Sequence, residues 1–158
     1  MADIINDGMT KVSFVPTISD TSAPTTTELN AGQSLEGFLT ADGGLGQEWG
    51  TEPVGTTALS STYGTELPGR RTISTNLTLK HQGDGAAPFS TFAAKPTGYL
   101  VIRRYVASTT AWTAAQTVEV HPVQAGIRAR SAVAANEVLK FTVKLAHTAA
   151  PVEAATVA

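Results

Sequence analysis

From Glu137 to Leu145 the side chains sort by parity, with Leu139, Phe141, Val143 and Leu145 on one side and Lys140, Thr142 and Lys144 on the other. A period of two marks a strand with one dry and one wet face; at helical spacing the same apolar residues would scatter around the axis. The alternation recurs from Thr72 to Lys80, where Ile73, Thr75, Leu77 and Leu79 oppose Ser74, Asn76, Thr78 and Lys80. Lys11–Val15 reads as a short first strand ended by Pro16, which brings no backbone donor to a ladder. Leu35–Thr40 is apolar enough for a second strand. Gly98 starts the most apolar stretch, in which Tyr99, Leu100, Val101, Ile102, Tyr105 and Val106 serve both faces while Arg103 and Arg104 interrupt it. Such a strand belongs in the middle of a covered sheet. Val118 and Val120 then alternate with Thr117, Glu119 and His121 until Pro122 stops the run, and Gly126–Asn136, with Arg128 and Arg130 on one parity, is either a strand or a crossing loop.

Helical signals are few and short. Thr25 followed by Glu28 has the spacing of a capping box, and Gly32 closes that turn. After the turn Gln82–Gly85, Pro88 suits the start of a helix that carries Phe89, Phe92 and Ala93 on one side and ends near Lys95-Pro96. Residues 1–10 read as an N-terminal arm, 11–147 as one β-rich domain, and 148–158 as a flexible tail without a hydrophobic face. Between Ala41 and Arg70 periodicity gives way to Gly, Thr, Ser and Pro with scattered Leu45, Trp49, Leu59 and Tyr63. Connections beyond about 12–15 residues are unusual in compact domains, and the aromatic anchors argue against plain disorder. The stretch is expected to be a long excursion, such as an extended hairpin, packing on something outside its own core.

Composition narrows the function classes. A chain of 158 residues suits one domain, but with 6% aromatic residues and much Ala and Thr its core is lean, so contacts with other subunits are expected to supplement it. The net charge of -2 argues against general binding to nucleic acid through phosphates. The distribution is uneven: up to Arg70 nine acidic residues face only Lys11 and Arg70, whereas from Arg71 onward nine basic residues face four acidic ones. Two faces of opposite sign would suit copies that stack head to tail; alternatively the halves interleave and the charges mix. There is no cysteine for a disulfide or a thiolate site. No secretory signal or membrane-length apolar run is present, so a protein made in the cytoplasm without a membrane partner is expected.

No catalytic constellation emerges. His81, His121 and His147 lack the local spacing of metal pairs and read as structural or exposed. Gly43, Gly44 and Gly46 lack the Lys-Ser/Thr of a phosphate loop, and Ser34 fails the nucleophile-elbow pattern. No acidic residue sits in a stretch that reads as buried. Arg70-Arg71 and Arg103-Arg104 are expected to pair with carboxylates of the acidic half. No enzyme, cofactor or metal is therefore expected.

Three stretches carry a resemblance. They are the opening residues, with Lys11-Val12-Ser13-Phe14-Val15-Pro16-Thr17-Ile18, Ala23-Pro24-Thr25 and Glu28-Leu29-Asn30-Ala31-Gly32; then Lys95-Pro96-Thr97-Gly98-Tyr99-Leu100-Val101-Ile102-Arg103; and the run from Ala111-Trp112 through Val118-Glu119-Val120-His121-Pro122-Val123-Gln124 to Asn136-Glu137-Val138-Leu139-Lys140. In order and spacing they resemble the tail tube, or major tail, proteins of long-tailed bacteriophages of actinobacteria. The resemblance implies a mainly β fold of two packed antiparallel sheets, a sandwich or partly open barrel, flanked by a short helix. It also implies six-membered rings stacked into a hollow tube for DNA, and no active site. Its implied partners are the chain itself, then tape measure, tail terminator and distal tail proteins, with DNA only transient in the lumen; the virion tail would be assembled in the host cytoplasm. Ala41–Arg70 departs most from the family pattern.

From these readings the subunit interface is expected to include Asp42, Leu45, Glu48, Trp49, Glu52, Leu59, Tyr63 and Glu66 of the excursion, facing Arg103, Arg104, Arg128 and Arg130. Lys140 and Lys144 are not expected to form a bare basic ladder along a DNA channel. A capsid decoration or head-to-tail joining protein is the alternative reading, as is a sugar-binding β-sandwich, for which Trp49 and Trp112 are the candidate aromatics.

Overall fold

The computed structural model describes residues 3, 5–83 and 87–158. Parts of the expected arm (Met1, Ala2, Ile4) and of the expected turn (Asp84, Gly85) lie outside them. In chain order the elements are β1 (Thr10–Val15), α1 (Thr26–Asn30), β2 (Gln33–Ser34), β3 (Leu45–Gly55), β4 (Glu66–Lys80), α2 (Ala87–Thr91) with a 3-10 turn (Phe92–Ala94), β5 (Thr97–Arg104), β6 (Thr117–Arg130), β7 (Lys140–His147) and β8 (Val152–Thr156). The fold is mainly β. Rather than two separate sheets, all eight strands join one antiparallel sheet of order β2-β1-β5-β6-β7-β4-β3, with β8 pairing β6.

The sheet curls without closing. Beyond β2 the chain crosses toward the far side, where Leu39 bridges Leu79, Thr40 N–H donates to Thr78 O and Lys80 N–H donates to Phe38 O. The curl encloses the main core. Its inward residues alternate along each strand: Val12 and Phe14 of β1, Leu100 and Ile102 of β5, Val123 and Ala125 of β6, Phe141, Val143 and Leu145 of β7, Leu77 and Leu79 of β4. Phe92 of the 3-10 turn meets Phe14 edge-on at 5.4 Å between ring centroids. The opposite parity builds a second core from Val15, Val101, Val118 and Val120, covered by Leu29 of α1, Trp112, Ala155 and Val157. The central strands are thus covered on both faces, as the apolar run after Gly98 requires.

Several boundaries differ from the sequence reading, each for a local reason. The capping box forms as expected: Thr25 Oγ1 accepts from Glu28 N–H, and Glu28 Oε2 accepts from Thr25 N–H at 2.8 Å. Leu35–Thr40 is not a strand, because Phe38 and Leu39 N–H both turn back to Leu35 O. Pro122 does not end its strand. Its carbonyl accepts from Thr148 N–H, which puts its donorless nitrogen at the seam where β7 stops and β8 begins along β6. Leu139 precedes β7 and is 53% exposed, while Phe141, Val143 and Leu145 are inside. Residues 148–158, expected as a flexible tail, contain β8; Val157 N–H donates to Gln116 O and Ala158 N–H to Pro24 O.

Candidate assembly surface

β3 and β4 pair from Leu45↔Leu77 out to Gly55↔Glu66 as one long hairpin. Its root lies on the main core through Leu45 and Leu77, whereas every residue from Glu48 to Pro68 is exposed. A register shift between Thr51 and Pro53 bends the ribbon. Gly69 permits it, since a Cβ there would stand 2.6 Å from Glu52 O and 2.7 Å from Val54 Cγ2. Beyond the bend Val54 and Leu67 face each other across the strands, 53% and 59% exposed, and the loop past them carries Leu59 at 106% and Tyr63 at 79%. The tip is held by its own polar contacts: Thr56 and Thr65 hydroxyls bond at 3.0 Å, and Ser61 Oγ donates to Tyr63 O at 2.8 Å. A shaped ribbon with uncovered apolar side chains gains burial only from a surface outside the domain.

The residues expected at an interface divide accordingly. Glu48, Glu52, Leu59, Tyr63 and Glu66 stand exposed on the hairpin. Asp42 is exposed in the turn before it, its carboxyl held below the usual range by the Thr40 hydroxyl, with Lys140 adding to the effect. Leu45 is half-buried on the domain's own core. Trp49, 44% exposed, sits at the root with its ring edge-on to His121, centroids 6.0 Å apart. Arg104 is brought to this root, donating to Glu119 Oε1 at 2.7 Å and to Gln47 Oε1 at 2.9 Å. Arg128 and Arg130 lie at the other end of β6, with guanidinium groups 4.0 and 5.6 Å from the Phe89 ring centroid.

Arg103 must be removed from the expected interface, because it is fully buried. Its guanidinium donates to the carbonyls of Ala107, Thr110 and Ala111 and to Gln116 Oε1, and lies 5.0 Å from the Trp112 ring centroid. It organises the β5–β6 loop from within. Burial pulls its pKa down from the ordinary arginine value, against the pull of Glu36. The other arginine pairings also differ from expectation: Arg104 meets Glu119, and Arg71 meets Glu153 at 3.2 Å, so both carboxylates come from the basic half. Burial would raise the Glu119 carboxyl, but hydrogen bonds from His121 and Arg104 outweigh it and hold the group low. The groups that sequence reasoning missed are Gln47, Glu119, His121 and His147 at the root and Val54 and Leu67 on the ribbon. Glu119 and His121 share the inward parity of Val123 and Ala125, which was the available signal. Trp112 is buried, so no face presents both tryptophans to a sugar.

A family model described as phage tail tube protein matches residues 1–158. The chain belongs to that family. It is accordingly a structural, non-enzymatic component of the virion tail. Solved structures share the fold of this tail tube protein, two of them being the following. One is a chain of the cryo-EM structure of the anti-feeding prophage baseplate, 6-fold symmetrised, at 12% identity, covering 94% of this chain and 95% of that one with a TM-score of 0.60. The other is a chain of the tail of an empty GTA particle with C6 symmetry, at 13% identity, covering 96% and 98% with a TM-score of 0.53. No curated protein matches the sequence. No helix among the described residues is long and apolar enough to cross a membrane.

Proposed function

We propose that six copies of this tail tube protein join in a ring, that rings stack into a hollow tube through which DNA passes, and that the β3–β4 hairpin with the N-terminal arm makes much of the contact between rings. The observation that carries the hairpin's role is its exposure from Glu48 to Pro68 with Val54, Leu59, Tyr63 and Leu67 uncovered. Sixfold symmetry is supported by the symmetry of the two fold relatives. The resemblance of the three stretches quoted from the sequence supports a tube of a long-tailed phage of an actinobacterial host, assembled in that host's cytoplasm. Tape measure, tail terminator and distal tail proteins are its further partners. Arg104, Arg128 and Arg130 are the basic groups that acids of a neighbouring hairpin would meet, so stacking weakens with salt.

Electron microscopy of the purified protein tests the assembly: six-membered rings or tubes are expected, and dispersed monomers at high concentration count against it. Hydrogen exchange on the free subunit and on the tube tests the hairpin. Equal protection of residues 41–70 in both would end its stacking role.

A further inference from the structure

The interior of the curled sheet changes chemistry at the hairpin root. Past Leu100 and Ile102, Val123, Leu145 and Leu77, the inward parity continues as Arg104 on β5, His121 and Glu119 on β6, His147 on β7 and Thr75 on β4. His121 and Thr75 are fully buried. His121 Nε2 lies 3.3 Å from Glu119 Oε2, whose other oxygen accepts from Arg104 at 2.7 Å. His147 Nε2 lies 2.9 Å from Thr75 Oγ1, and the two imidazole rings are 5.5 Å apart between centroids. Over them lies β3: Gln47 Oε1 accepts from Arg104, Gln47 Nε2 stands 3.5 Å from His121 Nε2, and Trp49 covers the His121 ring.

This cluster offers little to offset positive charge beyond that of Arg104. Glu119 is its sole carboxylate among the described residues and is shared by Arg104 and His121. Further charges beside the cluster are Arg71 on β4 and Glu153 on β8, which pair with each other at 3.2 Å and line a crevice of about 460 Å³ with His147, and Glu36, which lines another crevice with Arg104. β3 contributes only the neutral Gln47 and Trp49 to the cluster. The Nδ1 atoms of both histidines are buried without a partner. A neutral ring leaves a bare lone pair there, whereas a protonated one leaves a buried N–H with no acceptor, the costlier state.

We propose that this cluster is a proton-operated latch on the hairpin: with His147 neutral, β3 stays seated through Gln47 and Trp49, and protonation of the half-buried His147 lifts that segment so that water reaches its buried Nδ1. Burial, with His121 adding, holds His147 below its ordinary value of 6.5 while the latch is closed. The closed form therefore binds the proton more weakly than the open form. The latch is fully closed above 6.5 and is driven open as pH falls from 6.5 toward the closed-state value. One linked proton shifts the open-to-closed ratio by about tenfold per pH unit within that window. The expected consequence, looser stacking in acid, rests on the hairpin role proposed above; the latch itself does not.

The test uses the full chain labelled with 5-fluorotryptophan, whose Trp49 fluorine signal is assigned with Trp49→Phe. Between about pH 7.5 and about pH 5.5 that signal is expected to move toward its solvent-exposed position, together with the His147 imidazole titration, while Trp112 stays still. Amide exchange over Gln47–Gly50, corrected for its intrinsic pH dependence, stays level above 6.5 and rises by up to about tenfold for each unit that the pH falls below it. His147→Gln removes the step and His81→Gln retains it. A Trp49 signal that stays fixed while His147 titrates in the wild-type chain overturns the latch even if a variant fails to fold, as does a step that survives His147→Gln. Tubes that pellet equally at both ends of the range, with the step present in free subunits, count against the hairpin's stacking role alone.

Discussion

Leu59 gives the hairpin's role its sharpest test, because its side chain is 106% exposed in the free subunit and has no burial there to lose. Leu59→Ser should therefore leave the subunit's stability within about 0.5 kcal/mol of the original, as for other exposed positions. If stacking buries that leucine on the next ring, the same substitution removes about 1.5–3 kcal/mol from each ring-to-ring contact. At 1.4 kcal/mol per factor of ten, this weakens each contact by about 10- to 150-fold. Pelleting against protein concentration reads the effect as a rise in the concentration needed for tubes, and Leu59→Met, which keeps an apolar side chain of similar size, should stay near the original. Thermal melting of the unassembled subunit supplies the control. An unchanged assembly threshold would remove Leu59 from the contact, and a lowered melting temperature would show that the residue belongs to the subunit's own core.

Three further outcomes follow from buried groups and caps. Arg103→Ala should cost about 3–5 kcal/mol in urea denaturation by stripping three carbonyls and Gln116 of their buried donor, and Arg103→Lys should recover little, since an ammonium does not span the guanidinium's fork. Gly98→Ala places a Cβ 2.7 Å from both Phe14 Cζ and Val15 O; a loss of about 1–3 kcal/mol is expected from the forced shift of β1 against β5, seen as a lower urea midpoint. The Glu28 carboxyl is pulled from 4.5 to about 2, first by Thr25 N–H and then by Ser19 N–H. A carboxyl depressed in the fold contributes stability that is present above 4.5 and lost as pH falls toward about 2, so denaturation midpoints should fall over that window and fall less in Glu28→Gln.

Parity at Leu77, Leu79, Phe141, Val143 and Leu145 was legible because those strands carry large apolar residues against Thr and Lys, and the Thr25–Glu28 box because capping chemistry is local. β8 was hidden for the opposite reason. Val152–Thr156 shows little contrast between its faces, and what makes it a strand is β6, more than thirty positions upstream. Pro122 misled because the rule that proline stops a strand concerns its missing donor, and here the donor's direction opens onto a seam. Loop composition announced an excursion at 41–70, yet the Gly69 bend and the Val54–Leu67 pair depend on cross-strand register, which residue types alone do not fix. Of the arginines assigned to an interface, Arg103 fell inside because β5 delivers it to loop carbonyls that no sequence pattern marks.

The pairing of β8 with β6 also sets a timetable. Leu29 of α1 leaves the ribosome early, but the core that covers it is completed by Ala155 and Val157. Until those residues emerge, the apolar side of α1 and the outer face of Val118 and Val120 lack part of their cover. Long-range closure of this kind slows folding. It also means that a nascent chain can form the β3–β4 ribbon, a local pairing, well before the body that carries it is sealed. A chain halted just short of Val152 would thus present a finished ribbon, with Leu59 and Tyr63 exposed on it, on an unfinished domain, and the cell's quality control has that interval in which to act.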